Sequence, residues 1–434
     1  MPMTRMTAAA LAIGFAAALP VANSPTGAAA ADAAWPQWGG PARNFVVEAR
    51  DLSTTWPAGG PRRKWQKPLG PGYSAIVTDG AALYTVYRDG TDDVAIALDA
   101  ATGATIWKTA YDAPFVEMCS ERLGSVPRAA PLLISSTGDR VITVSAGGLM
   151  TSLDRRTGAR QWSTELTADA RDEIRACGYS SSPLGFEDLI ITTAGGRGRG
   201  VVAIRAATGQ LAWQSQDFQN AYSSPLLIDL DGQPEVVAFT YAEVSGLNPR
   251  TGALEWTHPH VADQGVNVAM PLWGKDNVLF VSSAYNGGSR ALRLSRQHGT
   301  VKVEELWFHR RVRIHFGNAV RLGDRVYASN GDFGSAPFVA VDIKTGDTVW
   351  RDRTVARSTL IAAGDKLLIL DEDGTLVLAK PGEAGLEVLA KAAILAGRAW
   401  TVPTLSGSTL YVRNNAEILA LDLGTRKASG LLDP

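Results

Sequence analysis

Residues 95–107 read AIALDAATGATIW, and variants of the phrase recur: MTSLDRRTGARQW from Met150, VVAIRAATGQLAW from Val201, VSGLNPRTGALEW from Val244 and FVAVDIKTGDTVW from Phe338. In each copy alternating apolar residues, such as Ile96 and Leu98, lead to an Asp or its substitute, then Thr-Gly, then a second run ending in Trp. A period of two on both sides of a Gly-bearing turn is the pattern of a β-hairpin. The Asp carboxylate can accept from the backbone amides just ahead of it, and Gly takes the positive φ that closes the turn. Asp99, Asp154 and Asp342 therefore read as turn caps. Trp107, Trp162, Trp213, Trp256, Trp307 and Trp350 read as wedges that bury a large ring against whatever lies beside the hairpin.

Each hairpin follows another pair of short strands, as in PLLISSTGDRVITVSAGGLMTSL ahead of Asp154, so one unit holds four strands. Eight units follow at about 72–111, 127–166, 178–216, 221–260, 266–309, 315–353, 357–391 and 398–427. Their spacing is that of a four-stranded propeller blade, and a radial array leaves only short, protected sheet edges. After ILALDLGTRKAS only Gly430 to Pro434 remain, too few for an outermost strand. The orphan PRRKWQKPL (61–69), with Trp65 placed like the other wedges, is expected to supply it. The sequence thus predicts an all-β chain: a single eight-bladed β-propeller of four-stranded antiparallel blades over residues 62–434, closed by an N-terminal strand.

The 434 residues are 45% hydrophobic and 20% charged, with 44 Gly and 12 Trp, as a turn-rich β protein requires. A net charge of -1 and the lack of any Lys/Arg run leave nothing to neutralise a phosphate backbone, so nucleic acid is not an expected partner. The start, with Arg5, an apolar stretch from Ala8 to Ala22 and small residues around Ala28 to Ala31, reads as a secretory signal over 1–31, followed by an extension over 32–61. Its apolar run is shorter than a membrane span and no cysteine lies near it, so neither a span nor a lipid anchor is expected. The expected location is periplasmic or extracellular, and the expected state a monomer. Cys119 and Cys177 are the only cysteines, and in an oxidising compartment they are expected to pair.

The repeated ALDAATGATIW phrase with its docking Trp resembles the repeat of the pyrroloquinoline quinone (PQQ) dehydrogenase propellers and of the outer-membrane assembly propeller BamB. The opening AWPQWGGPARN, with GYSAIVTDG, VPRAAPLL, GYSSSPL, AYSSPLL and AWTVPTL in order, is closer still to exported PQQ-binding-like β-propeller repeat proteins related to both. The likeness spans nearly all of residues 34–427 and rests on structural motifs, so it implies the fold more strongly than an activity. It implies two functions: a binding or scaffolding module for a small ligand or a protein partner, or a PQQ-dependent, quinoprotein-type oxidoreductase of alcohols or sugars; a third, a carbohydrate-active enzyme, rests only on the donors and aromatics of the axial residues given below. In family quinoproteins PQQ lies on a Trp, with calcium held by Glu, Asn and Asp, an Asp base, and adjacent cysteines beside it. Here the cysteines are far apart in sequence and Glu117, Glu121 and Asp263 fall only on approach loops, so binding is the favoured reading and PQQ with calcium the alternative.

Function in such a ring belongs where the innermost strands converge. Alignment of their starts gives one ligand-binding candidate per blade: Tyr73, Arg128, Tyr179, Tyr222, Asn267, His315, Arg357 and Trp400. Arg forks bind carboxylates bidentately, and Tyr, His and Trp give stacking faces and directional hydrogen bonds. With no acid in this set, a small anionic or polyhydroxylated, sugar-like ligand is expected. His258, His260, His309 and His315 cluster in sequence, but a metal needs at least three converging ligands and none is assigned. Asp229 and Asp231 in IDLDGQPE read as a polar turn, short of the oxygens a calcium loop supplies. A peptide map of exported protein under non-reducing conditions is expected to show Cys119 joined to Cys177; two free thiols would exclude the pairing.

Overall fold

The computed structural model describes residues 34–49, 51–116, 118, 124–167, 176–332, 334 and 336–425. The segment read as a secretory signal, and Glu117, Cys119 and Glu121, lie outside them. The described chain forms eight four-stranded antiparallel sheets arranged as blades in sequence order. Blades 1 to 7 span 77–112, 132–165, 184–215, 226–259, 272–309, 320–352 and 358–393. Blade 8 takes Thr404–Ser406, Thr409–Arg413 and Glu417–Asp422 from the C-terminal end, and its outermost strand is Arg62–Pro68, antiparallel to Glu417–Asp422. The ring is therefore closed by the N-terminal strand that the sequence predicts. No helix of the described residues is long and apolar enough to cross a membrane.

The middle strands carry near-continuous apolar runs because both of their faces are covered. Leu189–Thr193 is buried throughout, whereas the outer strand Thr105–Asp112 alternates, with Trp107 and Tyr111 turned inward. The cores lie between blades: Leu83, Ile96 and Leu98 of blade 1 pack with Tyr411, Ile418 and Ala420 of blade 8.

The repeated phrase fixes how one blade meets the next. The Asp99 carboxylate accepts from Ala101 N (3.1 Å), Thr102 N (2.8 Å) and the Thr102 hydroxyl (2.8 Å), and Asp154 holds its turn in the same way. The capped turn presents one carbonyl and one glycine to the Trp of the preceding blade. Trp65 donates its indole N–H to Ala100 O (3.1 Å), Trp107 to Arg155 O (2.9 Å), Trp162 to Ala206 O (3.0 Å) and Trp213 to Pro249 O (3.1 Å). Trp307 donates to Ile343 O (2.7 Å) and Trp350 to Gly382 O (2.9 Å). Gly103 shows why the turn takes glycine: its φ is +73°, and a Cβ there would lie 2.7 Å from the Trp65 ring.

Blade 4 departs from this rule. The hairpin of blade 5 turns through Gln297 to Thr300 without the Asp-x-x-Thr-Gly phrase; the blade 7 hairpin lacks it too but still offers Gly382 O to Trp350, whereas Trp256 bonds no carbonyl of blade 5. The Trp256 indole donates instead to Glu235 Oε2 (2.7 Å), and Arg296 of blade 5 bridges to Glu235 and, at 3.2 Å, to Glu255.

Closure is reinforced by Arg413, whose guanidinium is fully buried and donates across the seam to Thr85 Oγ1 (2.8 Å), Val86 O (2.9 Å) and Gly70 O (3.1 Å). Burial lowers its pKa to about 9.

Trp107 is 8% exposed. Its replacement by Ala is expected to destabilise the fold by about 3–5 kcal/mol, as for a large buried aromatic, whereas Trp107→Phe, which keeps most of the ring and leaves the Arg155 carbonyl without its donor, is expected to cost about 1–3 kcal/mol. Denaturant unfolding measures both; a loss below about 1 kcal/mol for Trp107→Ala, the size of a surface effect, would overturn the latch.

Candidate functional site

The residues just ahead of the innermost strands follow the pleat of extended backbone, so alternate side chains face the axis. Where a Pro opens the strand, the third and first residues before it point to the axis and the fourth and second point into the blade. Together they line a cavity of about 1360 Å³ that includes Tyr73, Arg128, Tyr222, His315, Arg357 and Trp400. Tyr179 and Asn267, placed in the same ring by the sequence, do not line it. Tyr179 is 1% exposed and its hydroxyl donates to Ala194 O. Asn267 is fully buried, donating to Thr240 O (2.6 Å) and Tyr241 O (3.1 Å) and accepting from the Ser283 hydroxyl (2.5 Å). Ser180 and Val268 occupy the axial positions of blades 3 and 5. Each lies three residues before its Pro (Pro183, Pro271), as Arg128, Tyr222 and Trp400 do before theirs, so a constant offset from Pro was the signal that finds them.

The far end of the axis is covered. Tyr73 and Arg357 precede their innermost strands, whereas the segment Trp35–Val47 binds the distal ends of the same strands. Trp35 pairs with Thr78, Leu133 N donates to Pro36 O (2.8 Å), and Val46–Val47 run parallel to Ala362–Ala363 at the end of Ser358–Ala363. Between these points Arg43 is buried and donates to Pro183 O (3.0 Å) and Ser182 O (3.2 Å), and Trp38 lines the cavity with its ring edge-on to Phe45 at 5.1 Å. The channel is a cup with its floor across residues 35–47. That floor is not part of the repeat.

One wall is aromatic. Ring centroids step from Tyr73 to Trp400 (5.4 Å), Phe316 (4.7 Å), His315 (4.7 Å) and Tyr285 (4.8 Å). The Arg398 guanidinium lies 4.3 Å from the Trp400 ring centroid and that of Arg357 lies 4.9 Å from Phe316. Arg128 is steadied by the carbonyls of Cys177 and Gly124; Cys177 is itself disulfide-bonded. Outside the eight axial candidates the cavity also has acids: Glu372 and Asp373, on the turn after the second strand of blade 7, reach its mouth, and Glu372 Oε2 accepts the Trp400 indole N–H at 3.1 Å.

Burial, with the Arg357 charge beside it, lowers the His315 pKa to about 4, so the imidazole is neutral at pH 7 and its Nδ1–H donates to Asp332 O (3.2 Å). The other histidines lie elsewhere. Arg290 donates to His260 Nδ1 (3.0 Å) and pairs with Glu305, with His258 alongside, and His309 packs edge-on to Trp307 at 5.4 Å. An arginine thus stands among the first two, and no three His, Cys, Asp or Glu side chains of the described residues converge as a metal site. In the 228–235 hairpin Asp229 accepts from Gly232 N (2.8 Å), and Asp231 accepts from Arg296 N and Asn277 Nδ2 (2.9 Å each).

Comparison with known proteins agrees with the architecture. No curated protein matches the sequence. Among solved structures, BamB from Moraxella catarrhalis superposes with a TM-score of 0.60 at 16% identity, covering 83% of this chain and 99% of its own. The quinohemoprotein alcohol dehydrogenase from Comamonas testosteroni gives 0.62 at 13% identity over 92% and 82%, and the computationally designed Ika8 protein 0.55 at 14% over 82% and 98%. At such identities the likeness establishes the fold. A PQQ-repeat family model described as outer membrane protein assembly factor BamB matches residues 46–216 and again 127–296, more than half of the sequence, and the chain belongs to that family.

Proposed function

We propose that this propeller is an exported binding module that takes a small organic anion in its axial cup. The carrying observation is Arg357. It is 7% exposed, lines the cup, has no acidic partner among the described residues, and makes one hydrogen bond, to Gly334 O (3.1 Å), while its Nε has none. A buried charge without a counter-charge is costly, and an anion entering from the mouth supplies one in the bidentate geometry that a guanidinium favours. Arg128 on the opposite side adds a second positive fork, and neutral His315 adds a polar group without charge.

The cofactor implied by the family resemblance fits the lining poorly. A calcium ion takes six to eight oxygen ligands, and the described cup offers two carboxylates, Glu372 already engaged by Trp400. The Trp400 ring, where a planar quinone would rest, is covered by Arg398 and packed against Phe316 and Tyr73. We therefore derive no oxidoreductase step, and the donors and aromatics that suggest a carbohydrate-active enzyme serve equally for binding.

A screen of carboxylates, quinones and acidic sugars by thermal shift is expected to yield a ligand whose affinity falls at least about tenfold in Arg357→Ala, with a smaller fall in Arg128→Ala. Unchanged affinity in both variants places binding outside the cup. The neutrality of His315 gives a second expectation. An unfolded imidazole titrates near 6.5 and the folded one near about 4, so between these values only the unfolded chain holds the proton, and stability falls as the pH drops through that window. His315→Gln is expected to flatten the fall in melting temperature between pH 6.5 and 4; His260, also buried, is common to both proteins. Equal slopes would mean His315 is accessible to protons in the fold.

A further inference from the structure

The lining of the cup is polarised along its depth. Every charged side chain in it, Arg128, Arg357, Arg398, Glu372 and Asp373, belongs to the outermost ring or to turns beyond it. One layer deeper the polar side chains are engaged in joining blades. Ser182 Oγ accepts Ala130 N–H and Ser224 Oγ accepts Ser182 N–H, both at 2.9 Å, and Asn318 is tied at both ends to the Leu360 backbone (2.6 and 2.9 Å). What the deep layer offers a ligand is Met270, Val402 and the Trp38 indole on the floor. A hydroxylated ring placed there would give up its hydrogen bonds to water and find Asn318 engaged and two serine oxygens each already accepting one bond, too few partners for its several hydroxyls.

We propose that the ligand is an amphiphilic acid, an aryl or alkyl monocarboxylate, that enters apolar body first and leaves its carboxylate on Arg357 at the mouth. This rests on the reading of the cup as an anion-binding site and names the chemical class. The body replaces water against Met270, Val402 and Trp38, a gain proportional to the apolar area covered. The planar carboxylate meets a guanidinium that is already held over the Phe316 ring. Every charged side chain of the lining is at the mouth, so a second acidic group deeper on the ligand has no charged partner there.

The test is titration calorimetry of the full chain with octanoate, 3-phenylpropanoate, glucuronate and 1-octanol. Octanoate and 3-phenylpropanoate are expected to bind, with 1-octanol and glucuronate each at least tenfold weaker. Arg357→Ala is expected to weaken both acids at least tenfold, and Met270→Gln, which puts an amide at depth, at least fivefold; Val402→Thr, nearly isosteric, repeats the second test should Met270→Gln fail to fold. Glucuronate binding more tightly than the apolar acids, in an Arg357-dependent way, would overturn the amphiphile and leave the anion cup standing. Octanol binding as tightly as octanoate would overturn the anchoring on Arg357. Failure of all four probes to bind would overturn the cup reading and this proposal with it.

Discussion

The interaction on which the ring depends is a single indole N–H reaching the next blade. A four-stranded sheet alone has two wet faces and two open edges, and eight of them need a fixed angle and distance between neighbours before their apolar faces can meet. The Asp-capped turn supplies that reference: it points one carbonyl outward and places a glycine where the incoming Trp ring must lie. The ring buries its area only in the orientation in which its N–H finds the carbonyl, so packing and hydrogen bonding select the same geometry. At the seam, Trp65 to Ala100 is one more instance of this contact, so closure needs no special device beyond the strand exchange itself.

This is why the architecture was readable from the sequence. The phrase has a conformational cause at each position: an acceptor for the turn amides, a residue free to take positive φ under an aromatic ring, a wedge at fixed spacing. The phrase is missing from the blade 7 hairpin, where Gly382 O still meets the Trp350 indole, and from the blade 5 hairpin, where an ion pair stands in. The cost of desolvating Glu235, which raises its pKa, is offset by the Trp256 N–H and Arg296. Such a substitution leaves little local pattern, because Glu235 and Arg296 are apart in sequence and each looks like a surface charge.

The candidate site was legible only in part. Six axial residues fall where the strand starts place them, because the pleat repeats from blade to blade. Tyr179 and Asn267 did not, since the alignment of those two strand starts slipped the register by one, and in a pleated strand one residue reverses the face. Ser180 and Val268, less eye-catching, hold the true positions. Glu372 and Asp373 were missed for another reason: they come from a different turn of the blade, brought to the mouth by antiparallel pairing. The floor was missed because residues 35–47 belong to no repeat, and their contacts run to blades 1, 2, 3 and 7 at once.

These misses bear on function. The repeat builds a ring with an axial hole, and a ring of that kind is shared with an assembly factor, an alcohol dehydrogenase and a designed protein alike; nothing in the shared phrase distinguishes them. What the repeat does not supply in this chain is a floor laid across the axis by Trp38 and Arg43, an arginine in the outermost ring with no acidic partner among the described residues, and a Trp already packed by Arg398, Phe316 and Tyr73. An axis meant only to be plugged would close with apolar side chains from the blades, as the spaces between them do. Here the interior stays open, carries its charged side chains at the top and keeps Arg357 buried. On the proposed reading the cost of burying such an arginine is offset by the incoming anion, so the departures from the repeat, and not the repeat, carry that proposal.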